Sequence, residues 1–273
     1  MVKIDRLGWA AGFSIDAYGV TIGVRATDGR VLERLRQAVP FGARPSRRRR
    51  VDYLYSVVVG SLDAGARPRR FHLVYSDLRK LVRTLDLEQV VEALEQDMTL
   101  EMGARTRRWV FVHAGVVAWR GRALLLPGRS FAGKSTLVEA LVRAGAVYYS
   151  DEYAVLDLEG RVHPYPRPLS RRAAGEFKGR PVALAALGGE AGDRPLEVTA
   201  VVFTHFREGA RPRWRALSPG QGLLGLVENA VAARTRTELV MPVLMKVAQG
   251  AALFKGVRGE AAEVVPRLLR LLE

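Results

Sequence analysis

Ala123-Leu-Leu-Leu-Pro-Gly-Arg-Ser-Phe-Ala-Gly-Lys-Ser-Thr-Leu-Val-Glu-Ala-Leu-Val-Arg143 changes character twice along its length. Ala123–Leu126 is a short apolar run of the kind that makes a buried strand. Gly128–Thr136 reads as a loop, and from Lys134 to Arg143 the apolar residues return at helical spacing. Gly128–Ser135 matches G-x-x-x-x-G-K-[ST], the phosphate-binding loop, in the strand–loop–helix setting that such a loop needs. The spacing has a physical reason. Glycines let successive backbone N–H groups curl inward toward phosphate oxygens. A helix opening at Lys134 turns its unpaired amides and positive dipole end to the same anion. Lys134 is then placed to reach the outer phosphates, and the Ser135 hydroxyl to ligate Mg²⁺. For this composition chance predicts only about 0.004 such matches. The expected ligands are ATP and Mg²⁺, held by Gly128, Arg129, Ser130, Phe131, Ala132, Gly133, Lys134, Ser135 and Thr136, with Ser135 on the metal.

Working outward, Trp109–Trp119 precedes this segment as a buried strand, and Arg120-Gly121 makes a tight turn into Ala123–Leu126. Downstream, Ala146–Tyr149, Tyr153–Leu158 and Val162 read as strands, with a turn at Glu159-Gly160. Leu196–Phe203 reads as another strand, while Leu223–Ala233 and Ala261–Leu272 suggest helices. Strands alternating with helices predict an α/β layer fold. Asp151-Glu152 stands at the tip of the first downstream strand, where α/β proteins place their chemistry. One carboxylate suits Mg²⁺, directly or through water, and the other suits acceptance of a hydroxyl proton during phosphoryl transfer. The plain alternative is a solvated turn between strands.

The first 105 residues have another texture. Residues 12–26 alternate around Gly19 as strand, turn, strand. Val31–Val39 has helical spacing, and Val51–Val59 and Arg70–Tyr75 read as strands around a loop at Asp63–Arg69. An amphipathic helix fits Leu87–Met102, with Leu87, Val90, Val91, Leu94 and Met98 on one stripe and Gly103 as its C-cap. The expected organisation is a small α+β domain over 1–105, for substrate recognition or regulation, followed by a phosphate-loop domain over 106–273.

Composition narrows the classes. The 273 residues, 48% hydrophobic and 26% charged, describe an ordinary folded protein. Forty-three Lys+Arg against 28 Asp+Glu leave a formal net charge of +15, carried almost wholly by arginine. The absence of cysteine excludes disulfides, thiol nucleophiles and cysteine-based metal sites, and four scattered histidines do not suggest zinc. The opening MVKIDRLGWA is not a secretory signal, and no apolar run approaches a membrane span, so a cytoplasmic location and no membrane partner are expected. Arg47–Arg50 is either a solvated face or a contact for an acidic peptide or a nucleic-acid backbone. No helix-turn-helix or RNA-binding motif or interleaved aromatic pattern accompanies it, so nucleic acid is not the expected partner.

Val112-His113-Ala114-Gly115-Val116, Gly128–Ser135 and Ser150-Asp151-Glu152, taken together in this order, resemble the HPr kinase/phosphorylase family, including its relatives in peptide-modification clusters such as lasso-peptide kinases. The likeness is clear over about 109–170 and faint over about 171–235. It implies a phosphoenolpyruvate-carboxykinase-type P-loop domain that phosphorylates serine hydroxyls of a peptide or protein. It also implies a homo-oligomer. In that resemblance Asp151 is the general base, Glu152 the second acid near Mg²⁺, and His113 an active-site side chain; taken alone, His113 reads as a strand-end histidine. The family usually has glycine where this chain has Phe131, and the glycine-rich segment of the bifunctional kinase/phosphorylases is missing further on. A kinase for a hydroxyl substrate other than HPr therefore fits better. Arg167, Arg171 and Arg172 are either a solvated basic loop or the source of an arginine finger, and Glu176 is a further metal or substrate candidate. A nucleotide-dependent ATPase or switch, and a kinase of a small-molecule hydroxyl, stand as alternatives.

Overall fold

The computed structural model describes residues 3–48, 50–63, 65, 67–128, 132–171 and 180–273. The chain divides into two compact units, Met1–Thr106 and Arg107–Glu273. Both are mixed α/β structures built on a mixed sheet.

The first unit holds β1 (Ala11–Ala17), β2 (Val20–Ala26), α1 (Leu32–Arg36), β3 (Arg44–Ser46), β4 (Tyr53–Val58), β5 (His72–Ser76), β6 (Arg79–Thr84) and α2 (Leu87–Arg105). Its sheet runs β3-β1-β2-β4-β5-β6, with β2 and β4 parallel and the other pairs antiparallel. Alternation along β2 and β4 sends Ile22, Val24, Tyr53, Tyr55 and Val57 into the core, which α2 completes with Val90, Leu94, Met98 and Met102. The helix expected over Val31–Val39 is shorter. A 3₁₀ turn at Gly29–Val31, capped by the Asp28 carboxylate, precedes it, and it ends at Arg36 ahead of Pro40. Gly103 is not the cap of α2. It is buried within the last turns, and the helix stops where Thr106 becomes extended and its hydroxyl donates to the Tyr18 carbonyl at 2.8 Å.

The second unit holds β7 (Val110–Trp119), β8 (Arg122–Pro127), α3 (Lys134–Arg143), β9 (Val147–Ser150), β10 (Tyr153–Leu156), β11 (Val162–His163), β12 (Leu169–Arg171), β13 (Arg180–Val182), β14 (Val198–Phe206), β15 (Arg213–Ala216), α4 (Pro219–Val227), α5 (Thr237–Gly250), β16 (Ala252–Arg258) and α6 (Ala261–Arg270). The main sheet runs β11-β10-β7-β8-β14-β16-β15, with β9 added to β7; β12 and β13 form a separate ribbon. β8, β14 and β16 are parallel, and the remaining pairs are antiparallel. β8 shows why its sequence is apolar without alternation. Ala123 and Leu125 face one layer, Leu124 and Leu126 the other, and all four are buried. Leu137, Val138, Leu141 and Val142 of α3 and Val264, Val265 and Leu268 of α6 cover the second face; Leu223 and Leu226 of α4 and Val240, Val243 and Leu244 of α5 cover the first.

The helix expected over Leu223–Ala233 starts earlier, because Ser218 and Gln221 form a capping box with Pro219 in the first turn, and it ends at Val227. The sequence reading missed α5 and the strands β3, β6, β12, β13, β15 and β16. α5 carries an internal proline, Pro242, and the edge strands β3, β6 and β15 are arginine-bearing, β3 and β15 being short as well. No helix among the described residues is long and apolar enough to cross a membrane.

Candidate functional site

β8 ends at Pro127, and the chain then leaves the sheet for the loop that opens α3. Gly128 is anchored to the neighbouring strand, its N–H donating to the His113 carbonyl at 3.2 Å. At the far end Gly133 is the N-cap residue of α3 and sits in the left-handed region at φ +78°, where a side chain is strained. A glycine cap offers no side-chain acceptor, so the helix N-terminus has no side-chain cap. Lys134 reaches back to the start of the loop, its Nζ donating to the Gly128 carbonyl at 2.7 Å. Ala132, Gly133, Lys134 and Ser135 are half-buried, and Thr136 is exposed. Arg129, Ser130 and Phe131 of the loop lie outside the described residues, as do Arg172 and Glu176.

The acid pair is brought beside this loop by β7. Ala114 pairs with Pro127 on one side, and its N–H donates to the Glu152 carbonyl at 3.0 Å on the other. The turn is thus two strand spacings, about 10 Å, from the start of the loop at backbone level. The turn itself is built by Ser150, whose hydroxyl accepts the N–H groups of Glu152 at 3.1 Å and Tyr153 at 3.0 Å. Asp151 is buried, and the Tyr148 hydroxyl lies 3.0 Å from its Oδ1 and 2.9 Å from the Arg167 carbonyl oxygen. Tyr148 is fully buried; desolvation first, and then the Asp151 charge, push the pKa of the Tyr148 hydroxyl up. Glu152 pairs with Arg167, whose Nη1 donates to Oε2 at 2.8 Å.

His113 sits between loop and turn. Its backbone pairs with Tyr153, and its ring lies 5.6 Å from the Tyr153 ring. Burial, then the nearby Lys134 charge, push its pKa down to about 4, with a hydrogen bond to the Gly128 backbone partly offsetting them. The imidazole is therefore neutral at pH 7.

Gly128, Ala132–Thr136, His113, Asp151 and Glu152 are thus gathered at one end of the sheet. Arg167 joins them through Glu152. Arg47 and Arg48 belong to the other unit, where they border an open groove of about 470 Å³ that also includes Gly12, Ser14 and Gly23. Reading the sequence alone missed Tyr148 and Arg258. The Arg258 Nη2 donates to the Gly133 carbonyl at 2.8 Å. The available signal was the short apolar run Ala251-Ala-Leu-Phe254 leading into Lys255-Gly-Val-Arg-Gly259, which is compatible with a strand delivering an arginine at its C-terminal end.

The donor set suits the expected ligands. Ser135 and the two carboxylates are oxygen donors of the hard kind that Mg²⁺ takes, alongside phosphate oxygens and water. Among the described residues no group of three or more His, Asp or Glu side chains stands ready to hold a metal without such help. The uncapped N-terminus of α3, with Lys134 and Arg258 beside it, suits a polyanion. Compared with models of known protein families and with curated proteins, the chain matches none.

Proposed function

We propose that this protein is an ATP- and Mg²⁺-dependent kinase that transfers the γ-phosphoryl group to a hydroxyl, serine for preference, of a peptide or protein. The reading includes a P-loop domain arrangement of the HPr kinase/phosphorylase type. What carries it is one juxtaposition: Ala114 ties the Pro127 end of the phosphate loop to the Asp151-Glu152 turn. A phosphate cradle and a buried carboxylate thereby share one end of one sheet.

In this reading the amides of the loop and of the first turn of α3 bind the phosphate chain, and Lys134 exchanges its Gly128 carbonyl for the outer phosphates. Asp151, oriented by the Tyr148 hydroxyl, accepts the proton of the substrate hydroxyl as the oxygen attacks phosphorus. Neutral His113 adds no charge beside Lys134 and is held against the Gly128 backbone. When bound, Mg²⁺ neutralises phosphate charge, with Ser135 and Glu152 as its protein ligands. The transition state is loose, so positioning and charge neutralisation outweigh the strength of the base.

The test is mass spectrometry of acceptor peptides incubated with Mg²⁺ and γ-labelled ATP, alongside Asp151→Asn. One added phosphate on a hydroxyl, lost in the variant, supports the kinase. Phosphate released with no acceptor labelled across a broad peptide panel favours an ATPase or switch instead.

A further inference from the structure

Arg258 ends β16 with a relative exposure of 2%. Its Nη1 donates to the Gly259 carbonyl at 2.9 Å and its Nη2 to the Gly133 carbonyl at 2.8 Å. The guanidinium lies 5.4 Å from the centre of the Phe206 ring, at the end of the neighbouring strand β14. Its Nε is buried and has no hydrogen-bond partner. Among the described residues no carboxylate forms an ion pair with it; Glu260 is felt only at a distance, and burial pulls the guanidinium pKa below its usual value.

For folding alone this is a poor choice of residue. A buried cation with only neutral partners is costly, and an apolar side chain of similar volume is often equal or better. The cation is also not randomly placed. The Gly133 carbonyl it holds also accepts the N–H of Leu137, the first turn of α3. A Cβ on Gly133 would come within 2.5 Å of Arg258 Nη2, so the arginine occupies the space that the glycine leaves open. The uncapped end of α3 and a buried cation lacking a counter-ion therefore converge on the last glycine of the phosphate loop.

We propose that Arg258 is a positioning residue of the phosphate loop, holding Gly133 by its carbonyl and supplying a buried positive charge that the phosphate chain of a nucleotide neutralises on binding. The proposal rests on the nucleotide reading of the loop and extends it to a strand far along the chain.

The test uses the full chain, with Arg258→Met and Arg258→Lys, in calorimetric titrations with Mg·ATP, ADP and AMP and in thermal unfolding without nucleotide. The expected result is that Arg258→Met unfolds at the same or a higher temperature than the wild type. It loses about tenfold in ATP affinity, less for ADP and least for AMP, and Arg258→Lys restores part of the loss. A purely structural staple behaves otherwise: the empty protein is destabilised, and the three nucleotides weaken equally. That pattern, unchanged ATP affinity, or failure of both variants to fold overturns the proposal. If the wild type binds none of the three nucleotides, the reading of the loop itself fails, and that outcome is visible before any variant is made.

Discussion

In the proposed kinase reaction Lys134 and Asp151 divide the work at the residue scale, one holding phosphate and the other receiving a proton. Lys134→Ala is expected to weaken ATP binding and lower kcat/KM by two orders of magnitude or more, read by coupled kinase assay. Asp151→Asn is expected to retain ATP binding by calorimetry while peptide phosphorylation falls to background; retained phosphorylation would remove Asp151 from the role of base. His113 makes a separate prediction. Its folded pKa of about 4 lies below the ordinary histidine value, so unfolding takes up a proton at intermediate pH. Stability is therefore fully present above the unfolded pKa of about 6.5, where both states are neutral, and is lost as pH falls from there toward 4. Melting temperatures measured across that window are expected to fall less steeply in His113→Gln than in the wild type. Equal slopes would mean that the half-buried imidazole is not the group titrating.

At the scale of elements, α3 is both a core helix and the back wall of the site. Gly115 of β7 lets it approach closely: a Cβ there would meet Val138 Cγ2 at 2.6 Å. Val138 is β-branched and fully buried, so it has little room to yield. Gly115→Ala is expected to cost about 1–3 kcal/mol by overpacking, measured by denaturant unfolding. It is also expected to weaken ATP binding, because a displaced α3 carries Lys134 with it; a stability loss with unchanged ATP affinity would show that the loop is insulated from its helix. The elements also show what sequence pattern can and cannot convey. Trp109–Trp119, Ala123–Leu126 and Lys134–Arg143 were legible because each is long enough, or buried on enough sides, for its period to stand out. α5 was not, because its largely apolar run shows little contrast between faces and Pro242 interrupts it, whereas the sharply two-faced α6 was legible despite its own Pro266. β15 was hidden by its arginines, which a half-exposed edge strand tolerates.

At the scale of the whole molecule, the net charge of +15 matters for association more than for fold. An acidic acceptor peptide is expected to show a KM that rises severalfold between about 50 and 500 mM salt, while a neutral peptide changes little. Equal salt dependence would remove electrostatic steering from the account.

The candidate site is the part of this protein most nearly written in local sequence. A phosphate loop works through backbone amides, two glycines and one lysine, all within eight residues, so the match at Gly128–Ser135 is legible without help from the rest of the chain. The strand before it and the helix after it are local for the same reason. Other contributions depend on chain segments meeting. Whether Asp151-Glu152 lies beside the loop was decided by Ala114, which bonds to the Pro127 and Glu152 segments at once. Tyr148 reaches Asp151 because a bulge in the β7–β9 pairing and the turn at Ser150 bring them together. Arg258 lies 125 residues from the glycine it holds, and only the parallel β8-β14-β16 order brings the two together. Backbone chemistry with a short repeat can be read along a chain; a buried charge finding its partner depends on strand order, which no local pattern encodes.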